Sequence, residues 1–326
     1  MLYISVELLK YRLIGDNKIM IEEIKKMLIN DKINVINMER VKIQSGQKTV
    51  YFIDTDTENL VLKIVDVTPQ ILIDEPEHEI DKELQQEIKL NSYRITEEIK
   101  MSKHCPNLPQ IKKSGDEDYI KYIQMNNKVY LIYIEEKFSG ETLEKLLLDT
   151  KKEFTISEVL NFLMQMVKHI EIMSSNGYIH RDIKPSNIIV NNSTYYIIDG
   201  GICKDTNSNI NLTATDSEIG TKRYLAPEQK RIVKNYNWTF QTDLYPLGII
   251  ATEMLNVEAR KFITANEDIR DIQIVKELWL SKNNSDVSKK IFKNIIVTVL
   301  NEIKALRFNN IDECITQLEN IKKEVV

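Results

Sequence analysis

The chain has 326 residues, of which 42% are hydrophobic and 29% charged, ordinary values for a globular protein with one large or two modest domains. Its formal net charge of −5 argues against a nucleic-acid-binding protein, and no stretch approaches the roughly 18 uninterrupted apolar residues of a membrane span. The three cysteines are far apart and odd in number, so we expect a reducing, cytoplasmic compartment rather than a disulfide framework.

Residues 1–34 are predicted to be a helical extension. The run IMIEEIKKMLIN (19–30) carries apolar residues at helical spacing and predicts one amphipathic helix. This helix could be a docking or dimerisation element, or a cap on the domain that follows. Residues 35–73 instead contain strand-like runs, NVINMERVKIQ, KTVYFID and NLVLKIVDV, and the polar turn TDTEN separates the last two.

The pattern changes from strands to helices along the chain. Residues 77–103 are predicted to be helical because apolar residues recur on one face, and the strand KVYLIYIEE (128–136) follows. After about residue 140, helical runs such as ISEVLNFLMQMVKHIEIMSSNG dominate. Strands first and helices later predict an α+β chain, with a small lobe over 35–138 and a larger, mostly helical lobe over 139–326.

The segment IHRDIKPSNIIV (179–190) combines the side chains that phosphoryl transfer requires. A carboxylate orients the attacking hydroxyl and takes its proton, an amide oxygen can hold a metal, and a cation absorbs charge on the phosphates. Asp182, Asn187 and Lys184 supply these groups within one short loop. Twelve residues beyond Asn187, the strand YYIID delivers Asp199, a second oxygen ligand suited to Mg²⁺. Each of these residue types is common in loops, but their combination at this spacing indicates phosphoryl transfer.

With these motifs and two later ones, the sequence resembles the eukaryotic-like (Hanks-type) serine/threonine protein kinases, in a form typical of bacteria. HRDIKPSN is similar to the family's catalytic loop, GTKRYLAPEQ (220–229) to the close of its activation segment, and TDLYPLG (242–248) to the helix that braces the loop. The resemblance covers nearly the whole chain after residue 35. It implies a bilobal α+β fold with a β-rich N-lobe containing one main helix, ATP with Mg²⁺ or Mn²⁺ as cofactors, and protein substrates with serine or threonine acceptors.

The resemblance also implies roles in the larger lobe. Asp182 would be the catalytic base, Lys184 would neutralise phosphate charge, and Asn187 and Asp199 would hold the metal. Lysine two residues after the base is the serine/threonine-kinase arrangement, which leaves a tyrosine acceptor as the minor option. Four structural residues are implied as well: His180, Asp243 as the brace of the loop, and the ion pair of Glu228 with Arg307.

In the smaller lobe, LVLKIV resembles the third-strand motif that places a lysine on the α- and β-phosphates, here Lys63. A glutamate on the following helix should hold this lysine. We favour Glu98, because Ile99 and Met101 follow it on the inner face of the helix, and Glu97 and Glu87 are the alternatives.

The resemblance further implies an adenine site. Val50 would pack under adenine, and backbone groups of Glu136 and Phe138 would hold its edge. The residue at the entrance to this pocket is either Glu135 or, with a slip of one position, Ile134, and the sequence leaves both open.

Two positions depart from the family pattern. The phosphate-binding hairpin IQSGQKTVYF has Gly46 as its one glycine, although backbone amides around Ser45 to Lys48 can still point at phosphate. Gly200 stands where the family has the phenylalanine of Asp-Phe-Gly. These departures suggest that the kinase switches between inactive and active states in a different way, or that an activator or a second copy of the chain holds it in the active state. They also keep open a pseudokinase or scaffold.

The segment between Asp199 and Ala226 has the length of an activation segment and offers phosphorylation sites. Arg181 could pair with a phosphate there. Thr221 would instead shape the acceptor pocket. The candidate sites are Thr206, Ser208, Thr213, Thr215 and Ser217, and of these Thr213 and Thr215 are favoured. A third function, phosphorylation of a small molecule, is disfavoured because such enzymes lack the GTKRYLAPEQ segment. No membrane or nucleic-acid partner is expected.

Overall fold

The computed structural model describes residues 8–11, 17–41, 48–74, 81–125, 128–200, 204–205, 222–230, 237–259 and 272–324. The chain forms two compact units, the first made of Met1–Lys103 and Pro109–Lys137, and the second of His104–Leu108 and Phe138–Val326. Strands concentrate in the first unit and helices in the second, which confirms the predicted α+β class. No helix within these ranges combines the length and apolar character needed to cross a membrane.

The first unit is built on a six-stranded sheet. The strands of this unit are β1 (Leu8–Tyr11), β2 (Val35–Val41), β3 (Lys48–Thr55), β4 (Asn59–Asp66), β5 (Lys113–Ser114), β6 (Glu117–Asp118), β7 (Ile120–Met125) and β8 (Lys128–Glu136). The sheet has the order β1-β7-β8-β4-β3-β2, in which β1 runs parallel to β7 and the other neighbours are antiparallel. Strands β5 and β6 pair separately as a short hairpin.

One face of this sheet is covered by helix α1 (Asn17–Asn30), the helix predicted from residues 19–30. Side chains alternate between the two faces of a strand, so every second residue of each strand faces α1. The apolar residues on this face, with the α1 residues that pack against them, include Ile24, Met27, Leu28, Tyr51, Ile53, Leu60, Leu62, Ile132 and Ile134. The helix is therefore part of the core of the first unit.

The opposite face is covered by helices that follow the short helix α2 (Gln70–Asp74), namely α3 (Lys82–Asn91) and α4 (Tyr93–His104). The sequence predicted one helical stretch here, but the structure divides it at Ser92. The Ser92 hydroxyl donates to the Ile88 carbonyl at 2.7 Å and contacts the Tyr122 hydroxyl at 2.8 Å. The backbone bonds from the Ser92 N–H to Ile88 and from the Thr96 N–H to the Ser92 carbonyl, both 3.0 Å, are kept, so α4 follows α3 directly.

The second unit is mostly helical. Helix α5 (Leu143–Leu148) is short, and α6 (Ile156–Ser175) extends over the predicted run and begins with a capping box. Helix α7 (Phe240–Leu255) is buried along nearly all of its length, as its apolar sequence requires. Further helices of this unit cover Ile272–Lys282, Asp286–Ile291 and Ile311–Lys323.

The strands of the second unit are short. They are β9 (Glu141–Thr142), β10 (Tyr178–Ile179), β11 (Ile188–Asn191), β12 (Thr194–Ile197) and β13 (Lys204–Asp205). Strands β12, β11 and β9 form one sheet, and β10 pairs with β13. The hairpin of β11 and β12 turns at Asn192, whose φ of +55° suits asparagine.

Candidate active site

The loop between β10 and β11 is held by a carboxylate of helix α7. Asp243 accepts two backbone hydrogen bonds, from the His180 N–H to Oδ2 at 2.7 Å and from the Arg181 N–H to Oδ1 at 2.8 Å. Burial raises the pKa of Asp243 to about 7, while the two N–H donors act in the opposite direction. Arg181 has a φ of +68°, a conformation that a non-glycine residue adopts only when its surroundings hold it. The brace therefore fixes the backbone immediately before Asp182.

Asp182 lies in contact with the other two predicted catalytic side chains of this loop. The Lys184 Nζ is 2.8 Å from Asp182 Oδ2. The Asn187 Nδ2 donates to the same oxygen at 3.0 Å and to the Asp182 carbonyl at 2.9 Å. Burial raises the pKa of Asp182, Lys184 lowers it, and the charge of Asp199 raises it again. The structure thus brings together a carboxylate, an ammonium group and an amide.

The β11–β12 hairpin brings Asn187 and Asp199 to the same place. Asn187 directly precedes β11 and Asp199 follows β12, and these strands pair through Ile188 and Ile197. The Ile198 N–H also donates to the Asn187 carbonyl at 2.9 Å. Residues twelve apart in sequence are neighbours because the hairpin folds back on itself.

These residues fit a hard divalent cation. Carboxylate and amide oxygens are the ligands that Mg²⁺ prefers, and it commonly takes only one or two protein ligands beside phosphate and water. The Asn187 Nδ2 is bonded to Asp182, so Oδ1 is the atom of this amide that a cation would contact. Asp182 and Asp199 also repel each other, and a cation between carboxylates reduces such repulsion.

In the first unit, Lys63 on β4 forms a buried ion pair with helix α4. Its Nζ lies 3.0 Å from Glu98 Oε1, so of the three helix glutamates considered, Glu98, Glu97 and Glu87, it is Glu98 that contacts this lysine. Glu97 pairs instead with Lys100 at 2.6 Å. Which glutamate faces Lys63 depends on the rotation of α4 about its own axis. The apolar side chains of α4, packed against the sheet, fix this rotation.

Further groups surround this ion pair. The Tyr133 hydroxyl donates to Glu98 Oε1 at 3.0 Å, and burial raises the pKa of Tyr133 well above its usual range. Glu135 Oε1 lies 2.8 Å from the Lys63 Nζ. Of the two residues considered for the pocket entrance, Glu135 therefore faces Lys63, whereas Ile134 packs in the core on the other face of the sheet.

The remaining predicted nucleotide-site residues lie in different parts of the chain. Val50 is buried and lies opposite Lys63 in the register of β3 and β4. The Glu136 N–H donates to the Gln110 carbonyl at 2.9 Å. The Phe138 ring packs on a tyrosine of β12, with ring centroids 4.5 Å apart. The predicted positions outside the described residues are Ser45, Gly46, Thr206, Ser208, Thr213, Thr215, Ser217 and Thr221.

The structure places the predicted Glu228–Arg307 pair in the interior of the second unit. The two guanidinium nitrogens lie 2.8 and 2.9 Å from the two carboxylate oxygens. Arg181, the predicted phosphate partner, has its guanidinium 4.4 Å from the centroid of the Trp238 ring, a cation–π contact. Sequence reasoning missed Trp238, because no local spacing rule relates residues 57 positions apart.

Sequence reasoning used the backbone amide of Lys48 but missed the role of its side chain. Lys48, at the start of β3, has its Nζ 2.6 Å from Glu98 Oε2. Its position two residues before Val50 was a usable signal, because alternate residues of a strand share one face.

Comparison with known proteins adds to this geometry. The family model described as a protein kinase domain matches residues 77–318, a span that begins after Lys63 and includes Glu98 and the whole segment 179–190. A probable serine/threonine-protein kinase of Clostridium acetobutylicum is 26% identical over 223 residues, which is 68% of this chain and 31% of that protein.

Two more relatives match shorter stretches. The serine/threonine-protein kinase PrkC of Bacillus subtilis is 34% identical over 151 residues, 46% of this chain and 21% of that protein. Cyclin-dependent kinase F-3 of Oryza sativa is 28% identical over 156 residues, 47% of this chain and 31% of that protein. The matches thus span less than a third of each of these three relatives.

Proposed function

The chain belongs to the protein kinase domain family, and we propose that it is an active serine/threonine kinase that transfers the γ-phosphoryl group of ATP to protein hydroxyls. The observation that carries the proposal is the arrangement around Asp182. Lys184 lies 2.8 Å from its carboxylate, Asn187 donates to that carboxylate, and Asp243 holds the preceding backbone. A scaffold has no chemical need of these groups in contact.

Each side chain has one task in this proposal. Asp182 orients the acceptor hydroxyl and accepts its proton as the new oxygen–phosphorus bond forms. Lys184 interacts with the charge on the transferred phosphoryl group, and Lys63 contacts the α- and β-phosphates. Magnesium, or manganese, held by Asn187 and Asp199 would neutralise charge on the phosphates.

The residue after Asp199 motivates the proposed regulation. Gly200 is buried and has no side chain to pack at a position where the family places phenylalanine. A buried phenylalanine contributes about 1.5–3 kcal/mol of apolar burial, so its absence removes a contact that would favour the active state. We propose that an activating protein or a second copy of the chain supplies this stabilisation. Gly200→Phe should then change the basal rate or the activation lag, and an unchanged time course would contradict this regulation.

The proposal is tested by mass spectrometry of the purified protein after incubation with Mg-ATP. We expect phosphate on serine or threonine, favouring Thr213 and Thr215, in the unmutated chain and none in Asp182→Asn. Asp286→Asn is the matched control, because Asp286 belongs to the same unit and its side chain is 95% exposed. Phosphate in Asp182→Asn equal to that in the control would contradict the proposal. ATP binding without any transfer would favour the pseudokinase.

A further inference from the structure

Lys48 and Lys63 are neighbours on one face of the sheet in the first unit. The antiparallel register pairs Lys48 with Val65 and Val50 with Lys63. Residues paired across an antiparallel ladder share a face, and so do alternate residues along one strand. The two lysines are therefore diagonal neighbours, a separation that long side chains span easily.

A single carboxylate holds both ammonium groups. The Glu98 Oε2 lies 2.6 Å from the Lys48 Nζ, and Oε1 lies 3.0 Å from the Lys63 Nζ. The side chains of Lys48, Lys63 and Glu98 are 14%, 6% and 3% exposed, so water screens these contacts weakly. Helix α4 thus positions two cations where the proposed function requires one.

A second acid lies beside Lys63 and changes the formal charge of this group of side chains. Glu135 lies 2.8 Å from the Lys63 Nζ, so this lysine contacts two carboxylates. The formal charges of Lys48, Lys63, Glu98 and Glu135 cancel, whereas the same group without Lys48 carries a charge of −1. A negative cluster would repel a triphosphate, and Lys48 removes that repulsion.

We propose that Lys48 is a second phosphate-binding lysine, which contacts the phosphates of a nucleoside triphosphate beside Lys63 and offsets the charge of Glu135. This inference rests on the proposed kinase function, because ATP is the ligand. The two lysines share one task, so the loss of Lys48 weakens the interaction with phosphates and leaves the interaction with adenosine intact.

Calorimetric titration of ATP and of adenosine separates phosphate binding from a structural role. Lys48→Met should weaken ATP binding about tenfold or more, as expected for a lost charge-assisted contact, and change adenosine binding by less than about twofold. Lys48→Arg, which keeps the charge, should retain most of the ATP affinity. Lys128→Met is the matched control, because Lys128 belongs to the same sheet and pairs with Asp66 on the surface, 2.9 Å away.

A second arm tests the charge balance. Glu135→Gln should raise ATP affinity several-fold, and adding Glu135→Gln to Lys48→Met should restore much of the lost affinity, because the cluster is neutral again. A double variant that binds ATP as weakly as Lys48→Met alone would contradict the role assigned to Glu135.

Each outcome decides between the claims. ATP affinity in Lys48→Met equal to that in Lys128→Met overturns this inference and leaves the kinase function intact. Equal weakening of ATP and adenosine assigns Lys48 a structural role and also overturns it. Unmutated protein that binds no ATP overturns the proposed function, and this inference with it.

Discussion

Replacing Arg307 with methionine should lower the free energy of unfolding by about 3–5 kcal/mol, because Glu228 then remains buried without its charged partner. The guanidinium donates two parallel bonds to Glu228, at 2.8 and 2.9 Å. It also donates to the carbonyls of Asn301 and Gln241, each at 2.9 Å. Methionine keeps the apolar stem of the side chain but supplies none of these donors.

The magnitude follows from burial. The side chains of Arg307 and Glu228 are 0% and 5% exposed, so water cannot replace the lost partner. The surface pair of Lys145 with Glu141 has side chains 52% and 46% exposed, and pairs of this kind contribute about 0–1 kcal/mol. Lys145→Met in the same unit is therefore the matched control.

Urea denaturation measures the difference directly. We expect Arg307→Met to be much less stable than Lys145→Met. The double variant Glu228→Leu with Arg307→Met should recover part of the loss, because it leaves no unpaired charge in the interior. If Arg307→Met unfolds within about 1 kcal/mol of the unmutated chain, as expected of a surface pair, the reasoning from burial is wrong.

Three further predictions concern the second unit. The free energy of unfolding should fall as pH rises from about 4 to about 7, because burial raises the pKa of Asp243 from 3.8 to about 7 in the folded chain, which then binds the proton more tightly than the unfolded chain. Asp243→Asn should make the free energy of unfolding, measured by urea denaturation at about pH 4 and about pH 7, depend less on pH. An unchanged pH dependence would contradict the assignment of this effect to Asp243. Gly140→Ala should destabilise by about 2 kcal/mol or more, because Gly140 has a φ of +127° and an added Cβ would overlap the Val190 carbonyl. Equal midpoints of thermal unfolding for Gly140→Ala and the unmutated chain would contradict this prediction. Thr155→Ala should lower the free energy of unfolding by about 1 kcal/mol, because Thr155 and Glu158 form the capping box of α6. Calorimetry that shows no loss of stability would contradict this contribution of the cap.

The contact of Asp182 with Lys184 and Asn187 was predictable because the three residues are close in sequence. Asp182, Lys184 and Asn187 fall within six residues, so residue type and spacing alone indicate phosphoryl transfer. Asp199 was predictable for a related reason, since a short hairpin separates it from Asn187 and must return the chain to the same place.

Other features depend on packing that no local pattern encodes. The choice of Glu98 over Glu97 depends on the rotation of α4, which long-range apolar contacts set. The contact of the Ser92 hydroxyl with Tyr122 joins residues thirty positions apart, and no local pattern relates them. The pairing of Lys48 with Glu98 requires the strand register and the helix position together, so neither segment predicts it alone.

The central claim is that Asp182 is the base of a phosphoryl-transfer reaction. Its most direct test is the rate of phosphate transfer from saturating Mg-ATP to an acceptor protein, measured for Asp182→Asn and the unmutated chain, with ATP affinity measured in parallel. Asparagine cannot accept the proton, so transfer should fall by at least about 100-fold while ATP affinity stays within about twofold. Equal transfer rates in the two proteins would contradict the assignment of Asp182 as the base.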